Sequence, residues 1–287
     1  VASTFSDAVV ELNIGQLGEA SGWAAYPLGV AHVLGASKGF DLFIDSDVPV
    51  GAGLSSSAAI ECAVALGLDE LLGLGNDRRA LARIGQRAEN EVVGAPTGIM
   101  DQSASLLGKV DHAVFLDCQS LEVENVALGF AAAALEVVII DTRVAHRLND
   151  GGYAARRAAC EAAAKAFEVP SLRHLSLETL EAGRELVDDV TYRRARHIIT
   201  ENDRVLSFVA ALKLGDFKRC GELMVQSHVS MRDDFEISVD ELDTAVETSM
   251  RHGAVGARMT GGGFGGASIA LCPIEKISDL TNSVYAE

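Results

Sequence analysis

Apolar residues recur along this chain at two spacings, and the switches between them outline its elements. Trp23, Tyr26, Pro27, Val30, Val33 and Leu34 share one helical face, with Pro27 near the start of the predicted helix. The same period predicts a helix over 57–74, with Ile60, Val64, Leu68 and Leu71 turned inward. It predicts another over 78–93, carrying Leu81, Ile84, Ala88 and Val92 and capped by Asn76 or Asp77. Helical patterns return over 153–167, 192–214, 216–231 and 240–252, where Asp216 and Asp240 are the expected caps. Runs rich in Val, Ile and Leu predict strands at 40–50, 112–117, 135–141, 255–260 and 267–272. The length, 287 residues, suggests two domains. The polar, glycine-bearing stretch 142–152 is the best crossing, giving 1–145 and 146–287.

Composition narrows the class. Hydrophobic residues make up 48% of the chain, yet no uninterrupted apolar run reaches the roughly 20 residues of a membrane span. Residues 1–11 lack a basic region followed by an apolar block, so no signal peptide is expected. A net charge of −17 argues against nucleic acid or an anionic membrane as partner. The five cysteines are scattered and form no CxxC pair, which indicates neither a zinc site nor a disulfide framework and fits a reducing, cytoplasmic compartment.

Two glycine-rich strings interrupt the periodic pattern. Between the 40–50 strand and the 57–74 helix stands Pro49-Val50-Gly51-Ala52-Gly53-Leu54-Ser55-Ser56-Ser57-Ala58-Ala59. Strand, tight glycine turn and serine-led helix together form a cradle for an anion, and a phosphate chain is the natural occupant. No lysine follows the second glycine, so amides, hydroxyls and a metal ion would supply the neutralising charge. The plainer alternative is a serine-capped helix after an ordinary strand. The second string, Gly261-Gly262-Gly263-Phe264-Gly265-Gly266, has five glycines in six residues. A hairpin needs two at most, so something must approach this backbone closely.

Three further places draw attention. Gly94-Ala95-Pro96-Thr97-Gly98 breaks one helix and starts the next, whose first turn carries Asp101. Asp101 is either a helix-dipole partner or a carboxylate held in a lined pocket. Glu89 sits at the edge of its helix's buried face, either solvated between Arg87 and Glu91 or able to reach a metal ion. Tyr153 opens a helix after Gly151-Gly152, as a packing anchor or a ligand contact. Arg193, Arg194, Arg196 and His197 read most simply as a solvated face paired with acids.

Taken together, these strings resemble the signatures of the GHMP kinases (galactokinase, homoserine kinase, mevalonate kinase and phosphomevalonate kinase). Residues 48–59 are similar to the second signature, and Arg258-Met259-Thr260-Gly261-Gly262-Gly263-Phe264-Gly265-Gly266 to the third. Gly98-Ile99-Met100-Asp101-Gln102 and Leu116-Asp117-Cys118-Gln119-Ser120-Leu121-Glu122 resemble the galactokinase branch. The segments Arg193-Arg194-Ala195-Arg196-His197 and Ser227-His228-Val229-Ser230-Met231-Arg232-Asp233-Asp234-Phe235 do so too. The resemblance implies an α+β fold of two domains, the first like ribosomal protein S5 domain 2 and the second ferredoxin-like, with the active site between them. It implies ATP-dependent phosphorylation of D-galactose at its C1 hydroxyl, with Mg²⁺, by a protein expected to be a monomer. Gly51, Ala52, Gly53, Leu54, Ser55, Ser56 and Ser57 would cradle the ATP phosphates, with Gly262 and Gly263 closing the nucleotide side. Ser57 and Glu89 match the metal ligands, Asp101 matches the base, and Gly98 and Tyr153 match sugar contacts.

Two departures accompany the match. The first signature, a Gly-Arg-x-Asn-Leu-Ile-Gly-Glu-His-x-Asp-Tyr type string, is not among these residues, and neither is the last strand of the family's C-terminal domain. We therefore expect a portion of a longer chain, which by itself binds sugar poorly and turns over slowly or not at all. Thr97 stands where many relatives carry cysteine, which leaves N-acetylgalactosamine open as the sugar. A non-catalytic galactose and ATP sensor is the alternative from another class.

Overall fold

The computed structural model describes residues 1–51, 53–144 and 151–287. It divides into two compact units, Val1–Val50 with Ser55–Val126, and Gly51–Leu54 with Ala127–Glu287. Among the described residues no helix is long and apolar enough to cross a membrane.

The first unit runs β1 (Ala2–Ser3), α1 (Ala25–Val33), β2 (Phe43–Ile44), α2 (Ser56–Leu72), α3 (Arg78–Ala88), α4 (Met100–Leu107), β3 (His112–Leu116) and β4 (Val123–Ala127). Pro27 falls in the first turn of α1, where a missing N–H costs nothing. The expected strand over 40–50 shrinks to Phe43–Ile44, because its partner is the two-residue β1, paired in parallel. β4 carries no strong apolar alternation, and the pattern of the sequence does not predict it.

The helices bury a shared core of Leu28, Val30, Val64, Leu68, Leu81 and Leu106. On α2 the buried residues are Ala58, Glu61, Cys62, Val64, Ala65 and Leu68, a stripe that ends at the partly buried Leu72. Leu71, expected inward, is therefore 67% exposed. Asp77 caps α3, accepting from the Ala80 N–H at 2.7 Å. That helix does not run unbroken to 93. Glu89–Val93 forms one π turn, closed where the Gly94 N–H donates to the Glu89 carbonyl.

The second unit holds β5 (Leu135–Asp141), α5 (Gly152–Ala166), α6 (Leu177–Ala182), α7 (Asp189–Leu214), α8 (Phe217–Asp233), α9 (Asp240–Arg251), β6 (Gly256–Met259), β7 (Ala267–Pro273) and α10 (Ile277–Ala286). Its sheet has the order β5-β7-β6, antiparallel throughout, with Val138 and Ala257 both opposite Ala270. Because β5 pairs along its whole length with β7, it belongs to this unit. The division thus falls at Val126 and Ala127, earlier than the 145/146 crossing expected from composition. Residues 145–150 of that expected crossing lie outside the described residues.

Asp216 caps α8 as expected, accepting from the Arg219 N–H at 3.0 Å. Asp216→Ala is expected to cost about 1 kcal/mol, read as a lower midpoint in urea. Asp240 does not cap α9. Val239 holds that position, and Asp240 sits in the first turn, where its charge suits the helix dipole.

The basic run on α7 makes the expected pairs with acids, but it is not wholly solvated. Arg193 pairs with Glu236 at 2.9 Å, Arg194 approaches the same carboxylate at 3.7 Å, and Arg196 pairs with Asp234. His197 is buried, stacked on Phe235 with ring centroids 4.5 Å apart and bonded through Nδ1 to Ser230 Oγ at 2.9 Å. Burial pushes its pKa down to about 4, so it is neutral at physiological pH. The run thus clamps the segment after α8.

Candidate functional site

The turn entering α2 is built on left-handed backbone. Gly51 and Gly53 have φ of 79° and 71°, and Ser55, with a side chain, has φ of 56°. A non-glycine residue there is strained, which marks a place over-determined by its surroundings. Ser55 occupies the N-cap position but makes no capping bond. Its hydroxyl instead donates to Asp101 Oδ2 at 2.5 Å. The serine-capped-helix alternative therefore fails for Ser55, and the N–H groups of the first turn of α2 have no cap from it. Ser56 and Ser57 follow in that turn, both partly buried. Ala52 lies outside the described residues.

Asp101 stands in the first turn of α4, one residue before Gln102 and after the shaped 94–99 turn. The two side chains face differently. Asp101 is half-buried and reaches Ser55, whereas Gln102 is fully buried. The Gln102 amide Nε2 donates to Glu61 Oε2 at 2.9 Å and to Glu89 Oε2 at 3.0 Å. Thr97 Oγ1 donates to the same Glu89 oxygen at 2.8 Å, and the Thr97 N–H donates to Asn90 Oδ1 at 2.9 Å. Glu89 is 5% exposed, so the reading of a solvated glutamate beside Arg87 and Glu91 does not hold. Those two pair with each other instead, at 2.7 Å.

Glu61 lies on the inward face of α2, whose apolar stripe by itself signals no chemistry. It is fully buried, and among the described residues its Oε1, like Gln102 Oε1, has no hydrogen-bond partner. Burial, reinforced by the charge of Glu89, pushes its carboxyl up to about 9. Glu61 is therefore a neutral acid at pH 7. Such an acid costs the fold stability as pH rises from about 4.3, where the unfolded chain begins to release its proton, toward 9. Glu61→Gln mimics the protonated form. It is expected to be more stable than the parent at pH 8 by more than about 1.4 kcal/mol, the equivalent of a tenfold change in proton affinity, with the gap closing toward pH 5. Melts across that range check this, and a variant less stable at pH 8 would contradict it.

In the second unit the two glycine strings meet. A Cβ on Gly53 would stand 3.1 Å from the Ala267 nitrogen, and one on Gly261 would stand 3.3 Å from the Gly53 carbonyl oxygen. The close approach expected of the 261–266 string is thus partly to the other glycine turn. A Cβ on Gly263 would collide with the Ile237 carbonyl oxygen at 2.4 Å. Thr142 fastens the end of the string, its N–H and Oγ1 donating to the Gly266 carbonyl at 3.1 and 2.6 Å. Leu54 and Gly262 are partly buried. Tyr153, in the first turn of α5, is 37% exposed. Gly98 lies in the turn before α4, where a Cβ would meet open space.

The structure thus joins Ser55 to Asp101 and the first glycine turn to the second. Among the described residues no hydrogen bond links Ser57 to Glu89, and no cluster of three or more His, Cys, Asp or Glu is arranged to hold a metal ion. A carboxylate and a hydroxyl are hard oxygen donors, which suits Mg²⁺ completed by phosphates and water rather than a closed protein cage.

Comparison with known proteins identifies the family. Residues 25–109 match the GHMP kinases N terminal domain, and residues 208–284 match the GHMP kinases C terminal domain. Galactokinase of Streptomyces coelicolor is 44% identical over 283 residues, covering 96% of this chain and 73% of that protein. Galactokinase of Mycobacterium tuberculosis is 45% identical over 271 residues, covering 93% and 75%. The structure of Lactococcus lactis galactokinase complexed with galactose superposes with a TM-score of 0.90 at 35% identity, covering 96% of this chain and 74% of that one. Mevalonate kinase of Methanococcus jannaschii, at 18% identity and a TM-score of 0.65 over the whole of this chain, shares the fold. On two matched domains and relatives this similar over most of their length, the chain belongs to the GHMP kinase family, in its galactokinase branch.

Proposed function

We propose that this protein transfers the γ-phosphoryl group of ATP to the C1 hydroxyl of D-galactose. The observation that carries this is the Ser55–Asp101 hydrogen bond of 2.5 Å. It ties the turn that reads as the phosphate cradle to the one carboxylate that reads as the base. The galactokinases it resembles at 44–45% identity support the same activity.

The chemistry asks little covalent help of the protein. The sugar oxygen attacks the γ-phosphorus, the bond to the β,γ-bridging oxygen breaks, and ADP leaves. The transition state is loose, so positioning and charge stabilisation do most of the work. Asp101 orients the C1 hydroxyl and takes its proton as the new P–O bond forms. Backbone amides from 51–57 hold the transferring phosphate chain, helped by the dipole of the 17-residue α2. The glycine string packs behind that turn, with Gly262 and Gly263 on the nucleotide side. Gly98 and Tyr153 contact the sugar. Ser57 and Glu89 would hold Mg²⁺, which when bound neutralises charge on the β- and γ-phosphates.

We also propose a cytoplasmic monomer, a setting that suits five cysteines scattered along the sequence with no CxxC pair. A hexose panel with Mg-ATP, followed by ADP release from the full gene product, tests the sugar. Galactose should be preferred over glucose and N-acetylgalactosamine. Preference for the 2-acetamido sugar would move the assignment within the family. Galactose binding without ADP release would point to the sensor.

A further inference from the structure

Phe264 is the one residue in the 261–266 string with a side chain, and its backbone is left-handed at φ 59°. Glycine would sit there without strain, whereas a phenylalanine is strained. The surroundings show what the ring gains. The Phe264 backbone N–H donates to the Ile237 carbonyl at 2.8 Å, and the ring packs on the cluster of Met231, Ile237, Leu242 and Met259. It also reaches α5. A Cβ on Gly152 would stand only 2.7 Å from the ring's Cζ, so only glycine admits the ring at the start of that helix. The Arg156 guanidinium, one turn on, lies over the ring at 5.0 Å, held there by bonds to the Phe235 and Glu236 carbonyls. Tyr153 is the residue next to Gly152.

One side chain therefore touches two elements with different assigned tasks. Behind it, the glycine string bears on Gly53 of the phosphate turn, with Gly261 against the Gly53 carbonyl. Ahead of it, the first turn of α5 carries the tyrosine assigned to the sugar. We propose that Phe264 is a positioning residue that ties the glycine string to the first turn of α5 and so sets the place of Tyr153. The proposal rests on the reading of Tyr153 as a sugar contact.

A double-mutant cycle on the full gene product tests it, using Phe264→Gly, Tyr153→Ala and the pair. Phe264→Gly removes the ring and relieves the strained backbone, so the fold survives to be measured. Phe264→Tyr keeps the ring and serves as the conservative control. Each single change is expected to raise the galactose KM about tenfold, the factor that ~1.4 kcal/mol gives, with the ATP KM changing less. On the Tyr153→Ala background, Phe264→Gly should add less than about twofold, since both remove the same contact. Phe264→Tyr should restore the parent value. Independent, multiplying effects would overturn the proposal and leave the Tyr153 reading standing. An unchanged galactose KM in Phe264→Gly would also overturn it. No effect of Tyr153→Ala would overturn that reading, and the proposal with it.

Discussion

Asp101→Asn should lower kcat by about 10²–10⁴ while the galactose KM moves only severalfold. Asparagine keeps the size and shape of the side chain and one oxygen that can accept the Ser55 hydroxyl, now bonded at 2.5 Å. What it loses is the ability to take a proton. An interaction made chiefly in the transition state shows in kcat, whereas a purely structural change would spread into both constants and the melting temperature. Steady-state kinetics with a thermal melt therefore separate the two. A fall of less than tenfold would remove Asp101 from the role of base, and equal losses in KM and stability would make it a structural carboxylate.

The second large effect concerns how the sheet meets its helix. Gly221 on α8 and Gly256 at the start of β6 pack backbone to backbone. A Cβ on Gly221 would stand 1.9 Å from the Val255 carbonyl oxygen, and one on Gly256 would stand 2.3 Å from the Gly221 Cα. Neither neighbour is a flexible side chain, so the helix and strand must part. Gly221→Ala is expected to cost about 3 kcal/mol or more. That corresponds to a fall in Tm of about 6–12 °C. β6 leads directly into the glycine string, so the ATP KM should rise in whatever fraction still folds. A variant with the parent's melting temperature would show that this contact relaxes without cost.

The sequence carries the helices well where apolar spacing and acidic caps agree, as at Asp77 for α3 and Asp216 for α8. It fails where a polar residue faces inward. Glu61 belongs to the buried face of α2, but a charged residue at that phase pushes a hydrophobicity reading toward Leu71, which is exposed. Ser55 reads as one of the serines of a helix start, yet it turns its hydroxyl to Asp101, 46 residues away in the chain. Only tertiary structure creates that bond. The 40–50 run has strand-like residues but too short a partner to pair with beyond Phe43–Ile44. α10 has Leu280 fully buried and Ile277 and Val284 packed beside it, a helical spacing that is legible but too short to stand out without its neighbours. The glycine strings are the strongest signals, because Gly53, Gly261 and Gly263 each answer a backbone contact that a side chain would fill.

Phosphorylation of galactose at C1 leaves its mark in the product's own spectrum. The full gene product would be incubated with Mg-ATP and D-galactose and followed by ³¹P NMR. The expected products are ADP and a sugar phosphate whose phosphorus couples to the anomeric proton. A phosphate on any other carbon, or bound galactose with no phosphorylated product, would contradict phosphorylation at C1.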